Sequence, residues 1–181
     1  HHLTYEDAEV LVFLASVLHD IGHTIHRTGH ANLGAAIAPL FLQRLLADMY
    51  PPEHRARMTA DICHAILTHR EDAEPLTIEA GIVRVSDALD MQRGRAKISF
   101  SQIGSTSIHS VSAYAIKDVK IERGEEKPIR IKITMANSSG IFQIDSLLKH
   151  KLKNSGIEQW VEVYAFIEGE VEEKIINFVK I

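Results

Sequence analysis

The chain holds a single cysteine, Cys63, among 181 residues, which excludes an intramolecular disulfide and fits a reducing compartment. It has no apolar run long enough to span a membrane and no signal-peptide pattern. It is therefore expected to be soluble and cytoplasmic, with no membrane partner. An excess of positive charge is also missing. The formal net charge is −4, which argues against a general nucleic-acid binder, usually a basic protein. Internal repeats and low-complexity tracts are absent. What is present is an ordinary globular composition, 45% hydrophobic and 24% charged. That is enough for a core in one medium domain or two small ones.

Composition changes near residue 97. Residues 1–97 carry eight Arg and one Lys, whereas residues 98–181 carry two Arg and nine Lys. Two segments are expected, with a boundary around Gly94 to Ser101. The first reads as helical. Thr4 can cap a helix with Asp7 three residues later, as in a capping box, and Val10, Phe13, Leu14, Val17 and Leu18 follow at helical spacing. A second helix is expected over 31–48, with Leu33, Ile37, Leu40, Phe41 and Leu45 inward. Pro39 should kink or split it, and Pro51-Pro52 should stop it. A third is expected over 53–69 (Met58, Ile62, Ala65 and Ile66 inward), and a fourth over 77–91 (Ile78, Ile82, Val85 and Leu89 inward).

The second segment changes period. Strands are expected over 113–122 and 129–135, the latter from the alternation of Ile129, Ile131 and Ile133, with 123–128 as the hairpin loop. A helix is expected over 142–153, ended by Asn154-Ser155-Gly156, and a strand over 160–168. Residues 172–180 are either a strand or a short helix. The fold class is thus α+β.

Nine of the eleven histidines lie within the first 69 residues. His19-Asp20 sits where the first apolar helix runs out, and Gly22 permits a tight turn after it. Regular helix neighbours point about 100° apart, but at a helix end both side chains can reach one ion. The competing reading is a C-terminal His on the helix dipole beside a solvated Asp. His30 opens the second helix, where small residues at 34–36 would allow close packing on the first. His69 closes the third helix. Asp87 lies in the apolar run from Ile82 to Leu89, where an unpaired carboxylate is costly. Its partner is either Arg84, three residues back, or a metal. Imidazole nitrogen with carboxylate oxygen suits Zn, Fe, Mn, Co or Ni.

His64, five residues before His69, lies about 140° round the same helix and suits a surface or supporting role. His54, His109 and His150 lack any constellation. Cys63 reads as a small buried residue. Arg93, Arg95 and Lys97 are either phosphate holders or a solvated basic turn. Trp160 and Tyr164 read as strand packing.

His19-Asp20, His30 before Gly34-Ala35, His69 after Ala65-Ile66, and Asp87 in the run Val85-Ser86-Asp87-Ala88-Leu89 together resemble the HD superfamily of metal-dependent phosphohydrolases, over roughly residues 5–95. The whole chain is similar to archaeal HD proteins with a small C-terminal α+β module. The resemblance implies an all-helical HD domain over 1–97 and a small α+β accessory domain over 98–181, with a possible homodimer. It implies a metal set of His19, Asp20, His30, His69 and Asp87 holding one or two divalent transition metals. Asp20 would bridge two ions, with His19 and Asp87 on one, and His30 and His69 on the other. It also implies cleavage of a phosphate ester, in a nucleotide or cyclic dinucleotide, by a metal-activated hydroxide. The enzyme would be a phosphomonoesterase or phosphodiesterase, with Asp20 and His23 as its catalytic pair. His23, four residues after His19, matches a family His near the phosphate and is otherwise a solvated loop residue. His26 and Arg27 are weaker versions of the same alternatives.

One departure stands out. The family carries a further metal-binding His on a helix some thirty residues upstream, and only eighteen residues precede His19. Either His1 or His2, native or the end of a purification tag, substitutes for it, or the ligand lies in a missing N-terminal part. Two other functions use similar residues: a non-catalytic HD-fold regulator binding a metal or nucleotide effector, and a di-iron HD oxygenase.

Overall fold

The computed structural model describes residues 4–70, 72–91, 112, 114–169 and 173–174. It divides into two compact units. One is His1–Asp87 with Asn154–Gly156, and the other is Ala88–Lys153 with Ile157–Ile181.

The first unit is helical: α1 (Tyr5–Leu18), a 3-10 turn (Ile21–Thr24), α2 (His30–Leu45), α3 (Pro52–Thr68) and, up to Asp87, α4 (Ile78–Leu89). α1 starts where expected. Thr4 Oγ1 accepts the Asp7 amide at 3.2 Å, and Asp7 accepts the Thr4 amide at 2.9 Å, so two helix-end donors are satisfied reciprocally. α3 starts with Pro52 at its first position, where a missing N–H costs nothing.

α3 is the central helix, packing against both α1 and α2. Its apolar stripe is the expected one, Met58, Ile62, Ala65 and Ile66, all buried. The other three helices match expectation only in part: Leu18 on α1 and Val85 on α4 are buried as expected, while other expected positions face outward. α1 buries Leu11, Ala15 and Leu18, while Phe13 (65% exposed) and Val17 face outward. α2 buries Ala31, Gly34, Ala38 and Leu42, with Leu46 just past its end, and exposes Leu40 (76%), Phe41 and Leu45. α4 buries Ala80, Val83 and Val85 and leaves Ile78 exposed. The physical reason on α2 is close approach. A Cβ built on Gly34 would stand 3.2 Å from an Ile66 methyl and 3.4 Å from the Gly22 nitrogen. Backbones this near need small residues between them, and that requirement sets the helix rotation ahead of the bulkier apolar stripe beside it. Pro39 does not split α2, which runs unbroken from His30 to Leu45.

The second unit holds a four-stranded sheet in the order β1 (Ile116–Arg123), β2 (Ile129–Met135), β3 (Val161–Ile167), β4 (Glu173–Lys174). β1 and β2 form an antiparallel hairpin; β2 and β3 are parallel; β3 and β4 are antiparallel. The parallel pair requires a crossover, supplied by a helical stretch with a π turn at Ile144–Leu148 between Ile141–Gln143 and Lys149–Leu152. β1 begins at Ile116, later than expected, after a helical turn at Tyr114 and Ala115. Alternation holds on β2, where Ile131, Ile133 and Met135 are buried.

Glu162, with its side chain fully buried, ties the hairpin loop to the sheet. It accepts the amides of Glu125, Glu126 and Lys127 and the Arg130 guanidinium at 2.8 Å. Burial alone would raise its pKa. The Glu125 amide, Arg130 and the Glu126 amide outweigh that and hold it below its ordinary value.

Candidate metal centre

Local chain geometry delivers three imidazoles to one place. α1 ends at Leu18, leaving His19 and Asp20 at the helix exit. The chain then folds tightly through Gly22, where a Cβ would stand 1.9 Å from the His30 carbonyl oxygen and 2.6 Å from the Gly34 nitrogen. Only a glycine lets the His-Asp turn lie against the first turn of α2. Gly29, at φ 72°, sets the entry to α2 so that His30 is its first residue. His69 caps the C-terminus of α3.

Each of these histidines is oriented in the same way. His19 Nδ1 donates to the Ser16 carbonyl at 2.7 Å, His30 Nδ1 to the Arg27 carbonyl at 3.0 Å, and His69 Nδ1 to the Ile66 carbonyl at 2.6 Å. A carbonyl can only accept, so Nδ1 carries a proton, and in the neutral imidazole Nε2 is the nitrogen left with the ligating lone pair. This is the backbone support by which metal-ligating histidines are commonly held.

The three lone pairs converge on Asp20. Oδ1 lies 3.3 Å from His30 Nε2 and 3.8 Å from His69 Nε2. Oδ2 lies 3.6 Å from His19 Nε2, which is also 3.5 Å from Asp87 Oδ1. The His30 and His69 Nε2 atoms stand 3.2 Å apart. Two neutral Nε2 atoms and a carboxylate oxygen facing one another at that range repel unless a proton or a metal ion lies between them. With bonds of about 2.0–2.2 Å, the edges of a coordination shell run to about 3.0–3.6 Å, close to the spacings seen. Asp20, His30 and His69 form the group of potential ligand atoms that lie together among the described residues.

His19 borders that group through Asp20 Oδ2, and Asp87 in turn meets His19. The Arg84 guanidinium, three residues before Asp87, reaches the carbonyls of Thr68, Arg70 and Ala73. Asp87 raises the His19 pKa, chiefly through its hydrogen bond; burial opposes the shift, and the Ser16 carbonyl and the Asp20 charge add to it. His23 borders the group, with Nε2 3.5 Å from Asp20 Oδ1 and its ring stacked on His30 at 4.0 Å. His26 and Arg27 are exposed. His26 Nδ1 accepts the Thr28 amide, a pattern unlike that of the three inward histidines.

His64 stays out of the group and accepts the Leu76 amide at Nε2. His54 stacks on Tyr50. Burial raises the Cys63 thiol pKa, as suits a packing residue. His1, His2, His109, Arg93, Arg95 and Lys97 lie outside the described residues. Sequence reasoning missed the shared Nδ1 anchor. Its signal is faint but real: each histidine ends or begins a helix, where a carbonyl three residues back is within reach.

Residues 2–92 match the family described as HD domain. The chain belongs to the HD-domain family. It is also 42% identical over 167 residues to a protein of Methanocaldococcus jannaschii described as uncharacterized, an alignment that covers 92% of this chain and 64% of the relative. The chain thus spans a little under two thirds of that relative's length. No solved structure matches it. HD domains form a superfamily of metal-dependent phosphohydrolases, and the helical unit carries the candidate metal residues Asp20, His30 and His69. No helix among the described residues is long and apolar enough to cross a membrane.

Proposed function

We propose that this HD domain hydrolyses a phosphate ester in a nucleotide, with Asp20 shared between two divalent transition-metal ions. One observation carries the reading: the two oxygens of Asp20 face different imidazoles. Oδ1 faces His30 and His69, and Oδ2 faces His19, which in turn meets Asp87. His30, His69 and Asp20 would hold one ion; His19, Asp87 and Asp20 would hold the other. Such ions supply Lewis-acid charge and activate water for attack at phosphorus.

The chain's own residues do the rest. The three backbone carbonyls keep the imidazoles in the tautomer that ligates. His23, 39% exposed at its side chain, stands at the open margin of the group, where an imidazole can donate to a phosphoryl oxygen. Its stacking on His30 restricts its rotation without burying it.

The test is release of phosphate or nucleotide product from mono- and diester nucleotides by protein loaded with Mn or Co, compared with His23→Asn. Turnover by the parent, with the variant retaining metal and losing most of the rate, supports the assignment. Nucleotide binding without turnover would favour a regulatory protein. Bound iron with a visible charge-transfer band and no ester cleavage would favour an oxygenase.

A further inference from the structure

A buried cation lies next to the metal group without belonging to it. Arg84 is 3% exposed and sits three residues before Asp87 on α4, so both project from one side of that helix. Its Nη1 donates to the Thr68 carbonyl at 3.4 Å, to the Arg70 carbonyl at 3.1 Å, and to the Ala73 carbonyl. The first two flank His69. The last carbonyls of a helix have no intrahelical donors, and here the C-terminus of α3 is gathered by one charged nitrogen, Arg84 Nη1, from a different helix. The same connection is pinned further along. His64 Nε2 accepts the Leu76 amide at 2.9 Å, and Thr77 Oγ1 accepts the Ala80 amide at 3.2 Å as α4 begins. His69 is thereby held from both sides along the backbone, while its own Nδ1 grips Ile66.

We propose that Arg84 is the positioning residue for His69: it fixes the peptide carbonyls on either side, so that the Nδ1–H to Ile66 bond forms and Nε2 points at Asp20. The inference rests on the reading of His69 as a metal ligand, yet its first consequence needs no metal. An arginine suits the task because its planar guanidinium holds Nη1 in a fixed direction, whereas a lysine ammonium is a compact point charge on a flexible stem. With Asp87 meeting His19 on the same helix, α4 aligns two arms of the centre at once.

The experiment compares parent, Arg84→Lys and Arg84→Met, each confirmed as folded by its cooperative melt. Nitrogen-15 NMR of metal-free protein reads which His69 nitrogen carries the proton, with His69→Gln identifying the signal. Cobalt titration then reads affinity through the visible spectrum. The parent should show pure Nδ1–H. Arg84→Met should show mixed tautomers and bind cobalt about 10- to 100-fold more weakly, as loss of a supporting partner does. Arg84→Lys should recover part of both. A folded Arg84→Met with the parent tautomer and the parent cobalt affinity overturns the proposal. Should Arg84→Met not fold, Arg84→Lys decides on the same tautomer signal: partial mixing supports the proposal, and a parent-like signal refutes it. A parent that binds no cobalt would defeat the metal reading, leaving the tautomer comparison to judge Arg84.

Discussion

Gly22→Ala is the substitution whose outcome the geometry constrains most tightly. The added Cβ would stand 1.9 Å from the His30 carbonyl oxygen, 2.6 Å from the Gly34 nitrogen and 2.8 Å from the His30 carbonyl carbon. All three are backbone atoms, so no side-chain rotation relieves the clash. An ordinary carbon–oxygen contact is about 3.3 Å, so the turn and α2 must separate by roughly 1.4 Å. Overpacking of this kind costs about 1–3 kcal/mol, and rigid neighbours place the cost near the top of that range. The same displacement moves His30 away from Asp20, now 3.3 Å apart, so cobalt affinity should fall at least about 10-fold. Gly29→Ala is the control. Nothing lies within 4 Å of its added Cβ, and only the positive φ of 72° is strained, which costs about 1–2 kcal/mol without forcing α2 away. Urea unfolding and cobalt titration of both variants give the readout. A Gly22→Ala protein with the parent's midpoint and affinity would refute the close-approach argument.

Other outcomes follow from the same structure. Thr4→Ala removes the acceptor of the Asp7 amide and should lower stability by about 1 kcal/mol in urea unfolding, with metal content unchanged. Ile62→Ala opens a cavity at a fully buried position and should cost about 3–4 kcal/mol, read the same way. Glu162 contributes stability that is fully present above its unfolded pKa, near 4.5, and is lost as pH falls through the lower folded value. The acid limb of the unfolding midpoint should therefore flatten in Glu162→Gln. Glu162→Ala, which removes the acceptor of three loop amides and of the Arg130 guanidinium, should lower the urea midpoint further than Glu162→Gln does.

Legibility in the sequence varied with physics from helix to helix. α3 was readable because Met58, Ile62, Ala65 and Ile66 are its main apolar residues and the whole stripe is buried. α2 was not, because two stripes compete on it. Leu40, Phe41 and Leu45 look like a core face, yet the contact of Gly22 with Gly34 turns Ala31, Gly34 and Ala38 inward. Spacing reports hydrophobicity, not how closely two backbones must approach. The hairpin at 123–128 was legible from Gly124 and the alternation of β2; its buried tie to Glu162, more than thirty residues away, has no local signature. Among site residues, the order from His19 to Asp87 pointed to a shared centre. For Asp87 the sequence left two partners open, Arg84 and a metal, because helix spacing of three suggests the first pair and gives no hint of the α3 carbonyls that Arg84 reaches.

Metal content of the purified protein beside Asp20→Ala tests the central claim most directly. The account predicts up to two equivalents of transition metal in the parent, by elemental analysis, and their loss in the variant, since Asp20 meets His30 and His69 through one oxygen and His19 through the other. A parent that holds no metal, even after reconstitution with Mn, Co, Ni or Fe, would contradict it.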